Sequence, residues 1–253
     1  MYLDHVHPFT AHEMAASPPI GEVVSLPRAQ LPSPKTTLQG RTVTLERLGL
    51  QHAPDLFAVI GGTEPSNTSL WNFMPDGPYP DYEEFAATIS LRAESTDPFF
   101  FAVIDTNNTT SHRGKAVGYL TLMRITPDHL SVEIGHVMFS AALQRTTGVT
   151  EAVYLLAEHA FHDLGYRRVE WKCNALHVRS RRAAERLGFV YEGTFRQHMV
   201  IKGRNRDTAW LAILRDDWER REKGVLEKWL DEGNFEQGAQ KKSLDELRAD
   251  WGS

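Results

Sequence analysis

Apolar side chains recur with two different spacings along the chain, and the changes between these spacings predict the order of its elements. An apolar residue at every second position favours a strand, whereas spacings of three and four favour an amphipathic helix. We therefore predict strands over residues 41–48, 99–104, 115–124, 131–139, 168–173, 191–200 and 207–214. The helical spacing predicts helices over residues 50–60, 82–94, 150–164, 178–187 and 218–230.

The order of these elements predicts a sheet of mixed direction. Short polar connections join the strands 99–104, 115–124 and 131–139, which is typical of an antiparallel meander. The long helix 150–164 lies between the strands 131–139 and 168–173, so these two should be parallel neighbours joined by a right-handed crossover. We expect a mixed α/β fold: a central, mostly antiparallel twisted sheet with helices on both faces.

A polar segment, QRTTGVT, connects the strand 131–139 to the long helix and occupies residues 144–150. The first turn of a helix carries backbone N–H groups that have no partner within the helix. These groups and the helix dipole favour the binding of phosphate. The segment therefore predicts a site for a phosphorylated cofactor.

The composition narrows the class of protein. The chain has 253 residues, a net charge of −5 and 41% hydrophobic residues, which is ordinary for a globular protein and does not favour a nucleic-acid binder. No apolar run approaches the roughly 20 residues that span a bilayer, so no membrane association is expected. The single cysteine, Cys173, fits a reducing compartment, and we predict a cytoplasmic protein.

The predicted elements suggest one domain with two extensions. Residues 1–38 are rich in Pro, Ser and Ala and are predicted to form an N-terminal extension that wraps the domain or stays loose. Residues 39–220 form the predicted domain, and residues 221–253 a helical and polar C-terminal extension. The histidines His5, His7 and His12 could bind a metal, but a polar arm with scattered histidines is the simpler interpretation, and no metal site is predicted.

Five segments together resemble the GNAT superfamily of acyl-CoA-dependent N-acetyltransferases, and most closely its Rim-type branch of ribosomal-protein N-terminal acetyltransferases and related enzymes. In chain order they read WNFMPDGPY, AVGYLTL, VEIGHV, QRTTGVTEA and HVRSRRAAERLGFVYEGTFRQ. The resemblance covers roughly residues 40–220. It implies the GNAT fold, acetyl-CoA as cosubstrate and no metal.

The same resemblance implies acetyl transfer to a primary amine by direct attack in a ternary complex. The acceptor would be a small molecule or a peptide or protein N-terminus, and the protein a monomer or a homodimer. The acidic excess gives mild support for a cationic acceptor. The alternative is a catalytically degenerate member that binds acyl-CoA or a partner without turnover.

The polar segment matches the phosphate-binding turn of the family with two departures. Gln144 stands at the first position of the turn, but Thr147 and Val149 stand where small residues are usual, and Gly148 is displaced by one position. Arg145 could pair with phosphate or remain a solvated cation. The predicted cofactor-binding residues are Met138, Phe139, Gln144, Arg145, Thr146, Thr147, Gly148, Val149, Thr150, His177 and Ser180.

The helix 178–187 also departs from the family pattern. Ala184 replaces the tyrosine that often protonates the departing thiolate, and His177 replaces an amide that contacts the cofactor. Rim-type relatives carry a serine where Ser180 stands, so its hydroxyl could serve as the acid. A serine near a helix start could instead bond its own backbone.

The remaining chemistry requires a base for the amine and a donor for the thioester carbonyl. Glu133 is the predicted base and His136 the reserve, and strict alternation would place them on opposite faces of their strand. The segment from Glu133 to Gln144 is about one residue longer than usual, so we expect a β-bulge there. Backbone N–H groups near Met138 and Phe139 are the predicted carbonyl donors.

Aromatic residues precede the second predicted helix and could shape the amine pocket. The candidates are Trp71, Phe73 and Tyr79, although aromatic residues at this density are as often part of a core. Cys173 is expected to be buried and inert.

Overall fold

The computed structural model describes residues 20–252. The strands are β1 (Thr37–Gln39), β2 (Val43–Arg47), β3 (Phe99–Asp105), β4 (Ala116–Thr126), β5 (Ser131–Phe139), β6 (Arg168–Asn174), β7 (Val190–Ile201), β8 (Arg204–Leu214), β9 (Phe235–Glu236) and β10 (Ala239–Gln240). The α-helices are α1 (Ala53–Ile60), α2 (Pro65–Thr68), α3 (Tyr82–Glu94), α4 (Thr147–Glu158), α5 (Val178–Arg186), α6 (Arg215–Asp217), α7 (Lys223–Leu230) and α8 (Leu244–Ala249).

Eight strands form one sheet in the order β1-β2-β3-β4-β5-β6-β8-β7. Every neighbouring pair in this sheet is antiparallel except β5 and β6, which are parallel. Helix α4 makes the crossover between these two strands. The predicted mixed, mostly antiparallel sheet is confirmed.

Helices cover both faces of the sheet, as predicted. The first core cluster lies between the sheet and α4, α5 and α7, which contribute Leu156, Ala184 and Leu226. The second lies on the opposite face, where α1 and α3 contribute Leu56 and Phe85. The apolar side chains of both clusters are removed from water, which is the main favourable term in folding.

Helix α4 begins at Thr147, three residues before the predicted start, and continues as a π-helical turn over His159–Asp163. Its N-cap residue is Thr146, whose backbone is extended. The prediction placed the start where the apolar periodicity begins, and Thr147 and Gly148 carry no such periodicity. The polar segment therefore forms both the connection that follows β5 and the first helical turn of α4.

A β-bulge interrupts β5, as the length of the segment from Glu133 to Gln144 had suggested. Tyr119 pairs with Met138 and Thr121 with Gly135, so two residues of β5 stand opposite one residue of β4. His136 has a φ of 44° at this bulge. The prediction that Glu133 and His136 lie on opposite faces is wrong, because the extra residue turns the strand and both side chains line one cleft.

Both terminal segments pack against the same core. Ala29 and Leu244 belong to the first cluster, and the Gln30 amide donates to the Leu164 carbonyl at 2.7 Å. Strand β1, which pairs with β2, was not predicted. The predicted division of the chain into a domain over residues 39–220 and two extensions stays a prediction. The histidines of the N-terminal segment, His5, His7 and His12, lie outside the described residues.

Candidate active site

The sheet opens between its two parallel strands. Their pairing runs from Ser131–Arg168 to Glu133–Glu170 and goes no further. The continuations of β5 and β6, together with α5, line a cleft of about 230 Å³, which we call the central cleft. Backbone groups at such an opening are free to bond a ligand, because no neighbouring strand uses them.

A second cavity surrounds the start of α4. This loop cavity has a volume of about 630 Å³ and is lined by Arg145 to Thr150, by Arg186 and by parts of β2. Among residues 20–252, no side chain makes a capping hydrogen bond at the N-terminus of α4. The first N–H groups of the helix therefore face a cavity flanked by two guanidinium groups, which is suited to a phosphate.

Local hydrogen bonds hold the turn in this form. The Gln144 side-chain amide donates to the Phe139 carbonyl at 2.8 Å, and the Thr146 hydroxyl donates to the Leu143 carbonyl at 2.7 Å. Arg145 has a φ of 63°, a left-handed conformation that reverses the chain. Gln144 and Thr146 thus shape the turn with their side chains, and the ligand-facing groups are backbone amides.

The displaced glycine has a packing role. A Cβ atom on Gly148 would lie 2.8 Å from Val43 Cγ1 and 3.0 Å from Leu143 Cδ1. The start of α4 therefore lies directly against β2, and only glycine fits there without movement. Thr147 and Val149, at the positions where small residues were expected, line the loop cavity and leave their amides in place.

Glu151 fixes the same helix to the β1–β2 turn. Its buried carboxylate accepts hydrogen bonds from the amides of Arg41, Thr42 and Val43 at 2.7, 2.6 and 3.1 Å, and from the Thr42 hydroxyl at 2.5 Å. Bonds from several N–H groups to one carboxylate are among the stronger ones in proteins. The orientation of the helix start, and with it the loop cavity, depends on this contact.

Helix α5 lines both cavities. His177 and Ser180 face the central cleft, whereas Ala183 and Arg186 face the loop cavity. Arg186 Nη1 also donates to Thr150 Oγ1 at 2.9 Å, which ties α5 to the first turn of α4. The site therefore suits an elongated molecule with phosphate at one end and a reactive group at the other.

Glu133 lies in a buried network of charges. Its Oε2 atom is 2.6 Å from Arg124 Nη1 and 2.8 Å from Lys172 Nζ, and Lys172 also contacts Glu170 at 2.6 Å. Among the hydrogen bonds of residues 20–252, none uses Glu133 Oε1, which lies beside Gly135. One carboxylate oxygen is thus held by cations and the other remains available in the cleft.

His136 lies in the same cleft in its neutral form. Desolvation by burial, and then the nearby Arg92 charge, lower the pKa of His136 to about 4. Its Nδ1 atom is buried and has no hydrogen-bond partner in the described part of the chain. Such an imidazole is uncharged near pH 7 and is a weak base.

Ser180 accepts a hydrogen bond from the Trp171 indole N–H at 3.1 Å. Since the indole is a donor only, the serine hydroxyl keeps its own proton for another acceptor. Cys173 is buried beside it, and burial raises the pKa of this thiol, as expected for an inert cysteine.

The predicted aromatic residues divide into two groups. Phe73 stacks on His177 with ring centroids 4.3 Å apart, and both line the central cleft. Trp71 and Tyr79 belong to the second core cluster: the indole donates to the Ile60 carbonyl and the phenol donates to Asp76. Both side chains fill the core below the central cleft and do not line it, although Trp71 borders the neighbouring cavity of about 330 Å³. Met138 and Phe139 are also buried.

Several site residues were missed by the sequence reasoning. Lys172, Arg206 and Arg124 line the central cleft, and Arg186 lines the loop cavity, which Trp229 and Phe235 of the C-terminal segment also reach. They come from strands and helices far apart in the chain, so no local spacing marks them. Arg186 could have been found from helical spacing, because it follows Ser180 and Ala183 at successive intervals of three residues on one helix.

Two kinds of site were not found in residues 20–252. No group of three or more His, Cys, Asp or Glu side chains there is arranged to hold a metal ion. Among the helices of the same residues, none is both long and apolar enough to cross a membrane.

A helix start suited to phosphate beside a cleft between diverging strands is what a transferase needs if it takes its group from a phosphorylated carrier. Comparison with known proteins gives the family. A family profile described as an acetyltransferase (GNAT) domain matches residues 42–190. This chain belongs to the GNAT acetyltransferase family and is an acyl-CoA-dependent acetyltransferase.

The chain is similar to a GCN5-related N-acetyltransferase from Brucella melitensis, with 40% identity and a TM-score of 0.81 over 87% of this chain and 98% of that one. It is 29% identical over 129 residues to YjcK of Bacillus subtilis, named as a probable N-acetyltransferase; the match spans 51% of this chain and 68% of YjcK. YdaF of the same organism, provisionally named a ribosomal N-acetyltransferase, is 26% identical over 42% of this chain and 57% of its own length. The name of YdaF is consistent with the predicted Rim-type branch of the family.

Proposed function

We propose that the protein transfers an acetyl group from acetyl-CoA directly to a primary amine while both are bound. The observation that carries this proposal is that neighbouring turns of α5 line both cavities, Ser180 the central cleft and Ala183 the loop cavity, so that one elongated donor can extend along this helix from the start of α4 to Ser180. The family uses acetyl-CoA, and the uncapped helix start fits its phosphates. When bound, acetyl-CoA supplies the activated thioester.

On the donor side, the amides of Thr147, Gly148 and Val149 bind the pyrophosphate, and Arg145 and Arg186 supply positive charge around it. His177 and the aromatic ring of Phe73 lie near the opposite end of α5 and restrict where the acyl end can lie. Fixing two reactants within one cleft can contribute much of a rate acceleration.

On the acceptor side, Glu133 Oε1 is the group best placed to receive the proton of the amine. The contacts of Arg124 and Lys172 at Oε2 fix the carboxylate and leave Oε1 for this role. The nitrogen then bonds to the acyl carbon, the carbon–sulfur bond breaks, and the amine proton passes to Glu133 directly or through water.

The departing sulfur leaves as a thiolate and requires a proton. Ser180 donates it, because the serine oxygen accepts from the Trp171 indole and its hydroxyl hydrogen can turn from the neighbouring Cys173 thiol to the thiolate. Since Ala184 offers no hydroxyl, Ser180 takes the place of the tyrosine common in the family. His136, neutral near pH 7, serves as a hydrogen-bond partner in the cleft and not as the base.

The size of the cleft supports a small acceptor. Its volume of about 230 Å³ is below the roughly 300–1,000 Å³ of typical small-molecule sites. The name of YdaF points instead to a ribosomal acceptor, which is the alternative for this chain. We favour a small amine, held within a domain that we place at residues 39–220.

Labelled acetyl-CoA tests the function. The protein is incubated with acetyl-CoA that carries an isotopic label in the acetyl group and with a panel of amines, and free thiol and labelled products are measured. We expect labelled amides and equal release of CoA, with Ser180→Ala slower and Arg182→Ala, an exposed control on α5, unaffected. Tight acetyl-CoA binding without thiol release for any amine or native extract would contradict the proposal and favour a binding protein.

A further inference from the structure

A third cavity, which we call the outer cavity, adjoins the central cleft. It has a volume of about 330 Å³ and shares Phe73, Asn174, Ile201 and Arg206 with the cleft. Ser180 lines the cleft but not the outer cavity. Arg206 therefore stands at the junction, on the side by which a second substrate can approach the donor.

Positive charge dominates this route, although the whole chain has a net charge of −5. The only carboxylate among the described residues that line the cleft and the outer cavity is Glu133. The cations that line them are Arg124, Lys172, Lys202, Arg204 and Arg206. This local excess argues against the cationic acceptor that the overall composition favoured.

Most of these cations near the reaction centre already have partners. Arg124 and Lys172 pair with Glu133, and Lys202 Nζ donates to the Trp71 carbonyl at 2.9 Å. Arg204 is exposed to solvent and lines only the outer cavity. Arg206 is half-buried and lines both cavities: its Nε donates to Thr208 Oγ1 at 3.2 Å, and the ion pairs of residues 20–252 include none for its guanidinium. Its two terminal nitrogens are available to a ligand.

A half-buried guanidinium without a counter-charge is unfavourable, because burial removes hydration that no carboxylate replaces. Burial lowers the pKa of Arg206, while the Glu133 charge acts in the opposite direction. An anionic ligand at this point would restore the missing partner. The flat guanidinium with two free terminal nitrogens matches a carboxylate, which it can bind through two parallel hydrogen bonds.

We propose that Arg206 binds a carboxylate of the acceptor, so that the acceptor is a small primary amine that is also an acid, such as an amino acid. We assign the carboxylate to the acceptor and not to the acyl group, because Arg206 lies where the central cleft meets the outer cavity, whereas the predicted thiolate acid Ser180 lines the central cleft alone. This inference rests on the proposed function and specifies its substrate.

Matched acceptors test the inference. The kcat/KM values of 4-aminobutyrate and 5-aminopentanoate are compared with those of butylamine and pentylamine, which lack the carboxylate, and α-amino acids are added to the panel. We expect the acids to be preferred by about 10- to 100-fold, the range for a hydrogen-bonded charge. Arg206→Gln should bring this ratio close to one, whereas Arg196→Gln, an exposed arginine outside both cavities, should preserve it.

Equal kcat/KM values for acids and plain amines, or a preference that survives in Arg206→Gln, would overturn the inference. A donor arm compares succinyl-CoA with acetyl-CoA: a preference for succinyl-CoA that Arg206→Gln removes would assign the carboxylate to the acyl group and would also overturn it. If no amine is acetylated, the proposed function fails separately. Calorimetric titration with the dicarboxylate glutarate then still tests whether Arg206 binds a carboxylate. The inference requires glutarate to bind the wild type more tightly than Arg206→Gln, and equal affinities would overturn it.

Discussion

The Lys172 ammonium lies 2.8 Å from the Glu133 carboxylate, and both side chains are only about 4% exposed. The candidate base of the site is therefore one half of a buried ion pair. Removing one partner of such a pair leaves an uncompensated charge away from water, which costs more than the pair itself contributes.

Replacing Lys172 should accordingly destabilise the fold. We expect Lys172→Met to lower the free energy of unfolding, measured in urea, by about 3 kcal/mol. This value is the lower end of the range for removing one partner of a buried ion pair, because Arg124 still neutralises Glu133. The double variant Glu133→Gln/Lys172→Met should lose less than the sum of the single variants. Glu185→Gln, which breaks an exposed pair with Arg181, should have a much smaller effect, because solvent screens that pair. Additive losses would show that the two groups are not coupled.

Glu133→Gln should lower kcat at pH 7 by about 100-fold, because the amide cannot accept the proton of the amine. Activity should partly recover at higher pH, where the amine loses its proton to water. Steady-state rates from pH 6 to about 10 provide the measurement. Glu170→Gln is the matched control, since Glu170 shares Lys172 but does not line the cleft. A variant with the wild-type pH–rate profile would remove Glu133 from this role.

Arg145 allows charge and backbone conformation to be separated. Arg145→Gly removes the guanidinium and suits the φ of 63°, whereas Arg145→Ala removes the guanidinium and keeps the strain. If the charge binds phosphate, both variants should raise the KM for acetyl-CoA by roughly tenfold. If Arg145→Gly behaves as the wild type, the residue acts only through the turn. A change confined to the KM of the amine would place Arg145 at the acceptor instead.

The tight contact at Gly148 predicts a defect that a second substitution can repair. Gly148→Ala brings a methyl group to 2.8 Å from Val43 Cγ1, so the start of α4 must move. We expect a loss of about 1–3 kcal/mol of stability and a higher KM for acetyl-CoA, because the amides proposed to bind phosphate shift with the helix. Val43→Ala in the same chain should recover much of the affinity. A Gly148→Ala protein with normal KM would show that the loop tolerates this movement.

The sequence predicted the elements whose signal is local. The apolar face of α4 and the strands on either side of it were sufficient to predict the parallel pair, and the extra residue between Glu133 and Gln144 predicted the bulge. The early start of α4 was not predicted, because Thr147 and Gly148 carry no apolar periodicity, and the contact of Gly148 with Val43 of β2 depends on the folded structure.

The charges of the site depend on contacts between distant parts of the chain. Lys172 and Arg206 come from β6 and β8, and only the paired sheet brings them towards Glu133. The alternation rule also misplaced His136, since a bulge changes the face of every residue that follows it. Trp71 and Tyr79 look the same in sequence as Phe73, but they pack in the core.

The buried His136 should make the stability of the protein depend on pH. Its pKa is about 4 in the folded protein and about 6.5 in the unfolded chain. Below pH 6.5 the unfolded chain therefore takes up a proton that the folded protein does not, so stability falls as the pH decreases towards 4. This contribution is absent above pH 6.5 and amounts to about 2–3 kcal/mol at pH 4.5.

Urea unfolding of the wild type and His136→Gln at pH 7.5 and 4.5 isolates the contribution of His136, because the other titrating groups cancel in the difference between the two proteins. The wild type should lose more stability than the variant by that amount, whereas His129→Gln, at an exposed position, should follow the wild type. Equal losses in the wild type and His136→Gln would show that His136 is already protonated or solvated in the folded protein, and the neutral imidazole assigned to the central cleft would then be incorrect.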